Sequence, residues 1–438
     1  MKITFDQFYL KTKTLDKILI FLIFFFPLFM SLSIFLADLS ASIVSLFVLF
    51  LFLSKKERLK FYQIKKSLYI FLIFYAFILI SLIFSISIEQ SLLPSIFYIR
   101  YFLFVLGIFY FLEKYEFMET IIFYSILFTF LIVAADSFIQ FIFLKNIFNY
   151  PVIDEGMNII TSFFNDEKKL GSYIVRLLPF SLSLLIYLKK DKLTYPVLIT
   201  SGIIVFLAAE RTALFLFILL LLFFFLINKH KIKFALFGLL ILMALLTLSK
   251  DHRYKYLTYT LQQFGVIEAK WNSDYGGNVK FYSQEHENLA YSALQIFKKN
   301  ILTGTGIKTF YLACNDLKSK MTTETVKKDK MSFFNRNNKM KCSTHPHSYY
   351  LQILSDSGIF LFIIVFSFFL HILIKNIKIM FKKDIKINEM SYYFLNVGII
   401  INLFPLIPSG NFYNNWLSLI MFYPLGFWLY INQKIKDV

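Results

Sequence analysis

Apolar stretches close to the length of a bilayer crossing recur from one end of this chain to the other, and a soluble core has no room for so many. A helix needs about 20 apolar residues to cross the hydrocarbon layer. Candidate spans fall at 18–37, 39–53, 67–87, 94–112, 118–143, 171–188, 194–209, 211–228, 232–248, 349–374, 392–409 and 412–432. Hydrophobic residues make up 58% of the chain, well above a soluble average. The expected class is therefore an all-α integral membrane protein with about twelve transmembrane helices.

Phe and Lys are abundant along the whole length, so the net charge of +19 says less than where the charges stand. Lys11, Lys13 and Lys17 precede the first span. Lys55, Lys56, Arg58, Lys60, Lys65 and Lys66 lie between the second and third; Lys189, Lys190 and Lys192 follow the sixth. Lys229, Lys231 and Lys233 follow the eighth, and Lys375, Lys378, Lys382, Lys383 and Lys386 follow the tenth. The positive-inside rule places all of these, with both termini, in the cytoplasm. One even-numbered topology satisfies every short basic loop. The first span exceeds a signal-peptide core and lacks a small-residue cleavage site, so it reads as an uncleaved anchor.

Three parts follow: an N-terminal transmembrane bundle at 1–248, a loop domain at 249–348 on the non-cytoplasmic side, and C-terminal transmembrane helices at 349–438. Within the loop, Leu289, Leu294 and Phe297 fit a short amphipathic helix. Thr303-Gly304-Thr305-Gly306 reads as a turn, and the charged stretch Lys318 to Lys341 as a mobile insertion. Cys314 and Cys342, the only cysteines, flank that insertion. On an oxidising side of the membrane they can form a disulfide that ties its base; two free thiols are the alternative.

Ionisable groups inside spans are costly and default to functional hypotheses. Arg100, Asp136, Arg176, Glu210 and Arg211 all fall near the non-cytoplasmic ends of their spans, and His345-Pro346-His347 precedes the tenth span on the same side. That clustering suggests one outward-facing polar site. Three arginines suit a di-anion such as a pyrophosphate, because guanidinium holds phosphate oxygens in a bidentate fork and stays charged. Structural readings stand beside this one. Arg100 or Arg176 can snorkel or pair with Asp136, and Arg211 can pair locally with Glu210. His-x-His without a carboxylate or thiolate at ligand spacing gives weak grounds for a metal. Asp356, nine residues after His347, turns to the opposite face of a continuous helix, which favours packing.

The segment His345-Pro346-His347-Ser348-Tyr349-Tyr350-Leu351 to Asp356-Ser357-Gly358 closely resembles the signature of the O-antigen ligase and polymerase superfamily. Phe163 to Glu167 with Leu170-Gly171-Ser172 and Arg176, then Glu210-Arg211-Thr212-Ala213, then Gly304-Thr305-Gly306 with Phe310 resemble further family segments, in the family's order, over about 95–375. Ser348 stands where the family usually has Asn, and Asp356 where it has Glu. The resemblance implies a GT-C-like polytopic glycosyltransferase of the bacterial inner membrane with its active site facing the periplasm. It would move a glycan from an undecaprenyl-diphosphate carrier to lipid A–core, as a ligase, or to another carrier-linked glycan, as a polymerase. It also implies inversion at the anomeric carbon with no metal and no other cofactor.

On that resemblance His347 is the general base, with His345 secondary, and Arg211 and Arg176, with Arg100, neutralise the departing pyrophosphate. Glu210, Ser348, Glu167, Gly304 and Gly306 complete the expected donor and acceptor site. Partners are then the lipid-linked donor, the acceptor and membrane lipids. A lipid-linked glycan transporter is the alternative from another class, but transporters place their charges near the bilayer midplane between repeats, and here they stand at one face. Basic residues divided among short loops speak against nucleic acid.

Overall fold

A computed structural model describes residues 13–154, 158–227, 250–263, 283–320 and 340–436, with Leu236, Gly238, Leu239 and Met243 besides. The expected ninth span, 232–248, lies outside the described residues but for those four, and so does the centre of the 318–341 insertion. The chain is mostly helical. Among the described residues seven helices are long and apolar enough to cross a membrane, so a polytopic all-α membrane protein stands.

The helices α1 (Thr14–Leu32) and α2 (Ile34–Leu53) are split at Ser33, whose extended backbone (φ −159°) breaks the run earlier than the apolar pattern suggests. After a short basic turn comes α3 (Lys65–Ile83), of which only Phe74, Ile78 and Ser81 are buried. Leu68, Phe71, Tyr75 and Phe77 pack partly on the core, while Tyr69, Ile70, Leu72, Ile73, Ile80 and Ile83 are exposed, as lipid-solvated surface should be. The expected fourth span is two pieces, α4 (Ile88–Ile96) and α5 (Ile99–Lys114). Next come α6 (Met118–Phe143), α7 (Leu170–Tyr187), α8 (Thr194–Leu207) and α9 (Arg211–Ile227). Between α6 and α7, β1 (Ile153–Asp154) and β2 (Asn158–Ile159) pair antiparallel. Two loop helices, α10 (Gln284–Lys299) and α11 (Phe310–Lys320), lead to α12 (Tyr349–Met380), α13 (Ile387–Asn402) and α14 (Asn415–Lys436). The eleventh span was expected to run to 409, but α13 ends at Asn402. Pro405 and Pro408 follow, and proline cannot continue the hydrogen-bond ladder.

Helices α13 and α7 lie along each other, as do α14 and α5, and α2 and α5. The helices alternate in direction, and polar contacts at the two ends show it. At one end Asp16 of α1 accepts from Lys114 (2.6 Å) and Tyr115 (2.5 Å) beyond α5. Glu119 of α6 accepts there from Tyr187 of α7 (2.7 Å) and from Tyr430 (2.5 Å) and Lys434 (3.0 Å) of α14. At the opposite end Arg176 of α7 donates to Asn402 of α13 (2.7 Å). For α1, α5, α6, α7, α13 and α14 these contacts agree with alternating directions.

The helix α12 is broken at Gly358 (φ 79°, ψ −175°). Its freed carbonyls are taken up by the glycine turn: Thr305 N–H donates to Ser355 O (3.0 Å) and Gly306 N–H to Asp356 O (2.9 Å). Ser81 of α3 also donates to Asp356 O (2.7 Å), and Ser91 of α4 donates to Ile307 O (2.9 Å). Irregular chain is tolerated at such depth only where each backbone group is satisfied by protein. The turn and the break satisfy one another.

Candidate active site

The site is built around the residues entering α12. His347 holds a left-handed backbone (φ 53°), rare for a residue with a side chain. Its carbonyl accepts from Ser409 N–H (2.9 Å) in the chain between α13 and α14. Its ring lies 4.1 Å, centroid to centroid, from that of His345, and 5.7 Å from that of His286 in the first turn of α10, nearly edge to face. Ser283, the N-cap of α10, meets His286 Nδ1 at 2.6 Å, and Thr344 Oγ1 meets His345 Nδ1 at 3.0 Å.

Burial depresses all three imidazoles. His345 falls to about 4, because it is desolvated and because His347 lies beside it. His347 falls below its ordinary value by burial, with Lys341 acting in the same sense and Glu285 against. His286 falls by burial and by the proximity of His347, with Arg211 and Lys341 adding to this and Glu285 opposing. A histidine held neutral near pH 7 can accept a proton.

The second part comes from the α8–α9 junction. Glu210 accepts from the N–H groups of Gly171 (2.7 Å) and Ser172 (3.1 Å), its carboxyl oxygens capping the N-terminus of α7. A Cβ on Gly171 would stand 3.0 Å from Ala213 and 3.2 Å from Glu210 Oε1, so a side chain there would crowd the cap. The low-dielectric surroundings push the Glu210 carboxyl up to about 8, against the pull of those two amides and of Arg176. Arg176 is buried, donating to Ser172 Oγ (3.2 Å) and Asn402, within electrostatic reach of Glu210 and of Tyr349. Arg211 opens α9; its guanidinium lies 4.9 Å over the Tyr259 ring and 3.4 Å from Thr260 Oγ1. Its charge reaches His286. Arg176, Glu210, Arg211, His286, His345 and His347 thus converge at one end of the bundle.

Other expected members stand elsewhere. Arg100 is paired with Asp38 of α2 (2.9 Å) and with the Tyr101 hydroxyl (2.9 Å), rather than with Asp136. Asp136 instead gathers the chain after α6, accepting from Asn146 (3.3 Å), Ile147 N–H (3.0 Å) and Ser162 (2.5 Å). Glu167 is exposed and bonds to Lys169. Gly304 and Gly306 pack on the α12 break. Ser348 is the N-cap residue of α12, its carbonyl accepting from Gln352 N–H (2.9 Å). Asp356 is buried at the break, accepting from Gln352 (3.2 Å) and Ser355 (3.3 Å). Cys314 and Cys342 are bridged.

Sequence reasoning missed His286, Glu285, Tyr259 and Asn402. His286 left a faint trace in the pattern Ser283-x-x-His286 before an amphipathic run, the form of a helix N-terminus. Its approach to His347 is a tertiary fact. Tyr259 and Asn402 left none.

The family model for O-antigen ligase matches residues 196–366. That segment runs from α8 into α12 and includes every converging residue except Arg176. No curated protein matches the chain.

Proposed function

We propose that this member of the O-antigen ligase and polymerase superfamily transfers a glycan from undecaprenyl-diphosphate to lipid A–core, as a ligase. On this reading the chain crosses the inner membrane about twelve times, the loop domain is periplasmic, and the converging site opens on that face.

In the proposed reaction an acceptor hydroxyl attacks the anomeric carbon from the face opposite the diphosphate. The new C–O bond forms as the bond to the diphosphate oxygen breaks, which inverts the centre. The hydroxyl proton passes to His347. The electron pair leaves with the lipid diphosphate, whose growing charge is met by the Arg211 guanidinium and, through its field, by Arg176. Glu210 keeps α7, and so Arg176, in register with Arg211. Among the described residues His345 Nε2 is buried with no hydrogen-bond partner, and an acceptor hydroxyl would satisfy it. Arg100, held by Asp38, has a structural part in this scheme.

The single observation carrying the proposal is that α9, α10 and the entry to α12 bring an arginine and neutral histidines together at one end of an apolar bundle. The test is transfer by the purified protein in lipid nanodiscs, with an undecaprenyl-diphosphate-linked glycan and either lipid A–core or a second lipid-linked glycan as acceptor. Glycosylated lipid A–core is the expected product, lost by about 10²-fold or more in His347→Ala. Products of increasing glycan length on the carrier would make the enzyme a polymerase working through the same residues. Transfer that survives His347→Ala sinks the mechanism.

A further inference from the structure

The chain from Met340 to His347 is an irregular strap that ends on the histidine assigned as base. It is fastened at several points before it gets there. Lys341 N–H donates to Ser292 Oγ of α10 (3.0 Å), and the single Ser292 proton is shared between Lys341 O (3.0 Å) and Asn288 O (2.9 Å), so the hydroxyl ties the strap to α10. Lys341 Nζ meets Glu285 Oε1 at 2.6 Å. Cys342 is bridged to Cys314 on the buried face of α11, their Cα atoms 5.5 Å apart. That face, with Phe310, Ala313 and Leu317, packs on Leu289, Ala293 and Ile296 of α10 in a core of its own, against which Met340, Cys342 and Leu351 lie.

Four residues, Ser343 to Pro346, separate Cys342 from His347, a reach of at most about 18 Å even if fully extended. Beyond His347 the chain enters α12 at once. His347 is therefore held from both sides, and it needs to be. A left-handed backbone at a residue with a Cβ persists only where the surroundings over-determine it. We propose that the Cys314–Cys342 bridge and Ser292 are positioning residues for His347, keeping the imidazole seated against His286 and His345 in the backbone conformation that aims it at the acceptor. The proposal rests on the functional reading above for its catalytic consequence, though its geometric half does not.

The groups that face His347 are His286 and Glu285 on α10 and Lys341 and His345 on the strap itself, with Arg211 acting on His286 through its charge. Freeing the strap moves Lys341 and His345 away together and exposes the ring. The imidazole then returns upward toward its ordinary value, since burial is the largest influence on it.

Two variants carry the test: Cys314→Ala/Cys342→Ala, and Ser292→Ala with the bridge intact. Wild-type protein folded in nanodiscs and then reduced with dithiothreitol guards against a variant that fails to fold. The first measurement is the rate of carbethoxylation of His347 by diethylpyrocarbonate, read by mass spectrometry, which needs no knowledge of the substrate. It should rise about tenfold on reduction and in both variants, as a ring going from buried to open would. The second is the pH profile of transfer, whose acid limb should move to higher pH while kcat falls more than KM changes. An unchanged labelling rate overturns the proposal. A lower yield of active protein at every pH with the limb unmoved and labelling unchanged also overturns it, because a merely structural bridge would behave so. Faster labelling with an unmoved limb upholds the positioning and refutes His347 as the base.

Discussion

Replacing Gly304 by alanine puts a methyl group where the backbone of α12 already is. A Cβ there would lie 2.3 Å from the carbonyl carbon of Asp356, 2.3 Å from Ser357 N and 2.5 Å from Asp356 O. These are backbone atoms, so no rotamer change relieves the overlap. The position also has φ +68°, which costs a residue with a Cβ about 1–2 kcal/mol. Forcing the turn off the break adds an overpacking strain of about 1–3 kcal/mol and weakens the bonds from Thr305 and Gly306 to Ser355 and Asp356. The expected loss is about 2–5 kcal/mol, enough to lower the midpoint of thermal unfolding of a chain this long by about 2–5 °C. Gly398→Ala is the matched control. Its Cβ would meet nothing nearer than Pro179 at 3.4 Å, and inside a helix alanine is favoured over glycine by about 1 kcal/mol. Unfolding of the detergent-solubilised protein, followed by intrinsic fluorescence, should show a fall for Gly304→Ala and none for Gly398→Ala. Equal midpoints for wild type and Gly304→Ala would refute the argument that the turn and the break are fitted to one another.

Three further outcomes are expected. On the proposed mechanism His347 acts unprotonated, and burial holds it below the usual imidazole value, so activity should stay level as pH falls through about 6.5 and decline only below it; an acid limb at or above that value contradicts the burial argument. Arg211→Lys keeps a charge but loses the planar fork over Tyr259, and kcat for transfer should drop about 10²-fold with a smaller change in KM. Glu210→Ala strips the cap from α7 and leaves two amides without their acceptor, a loss of about 1–3 kcal/mol that a thermal scan should show beside reduced activity; Glu210→Gln should recover part of it.

Long-range order was legible where it rests on one-dimensional signals. Apolar length and the alternation of basic loops gave the helix directions, which the contacts of Asp16 with Lys114 and of Glu119 with Lys434 display at one end. Boundaries were less legible. Apolar runs do not mark the extended residue at Ser33 or the early stop of α13 before Pro405. The site was readable in its chemistry and less so in its grouping. His347 packs nearly edge to face against His286 and the charge of Arg211 reaches the same ring, yet Arg100, alike in depth and charge, belongs to Asp38. Depth in the membrane is a coordinate that sequence supplies; position around the bundle comes from which helices pack together. The turn at Gly304 and Gly306 was legible, but not its neighbours: the α12 backbone at Asp356 and Ser357 beside Gly304, and the Ser85 and Ser91 side chains beside Gly306.

The bridge between Cys314 and Cys342 also bears on how such a chain can change over generations. Its two ends stand 5.5 Å apart, so the intervening segment begins and finishes at nearly one point. Residues can be added or lost between them without altering the path from Cys342 to His347, and the entropy of a longer closed loop grows only as the logarithm of its length. Length variation therefore has a place to accumulate that leaves the path to His347 unchanged, whereas the short stretch from Ser343 to Pro346 has no such freedom.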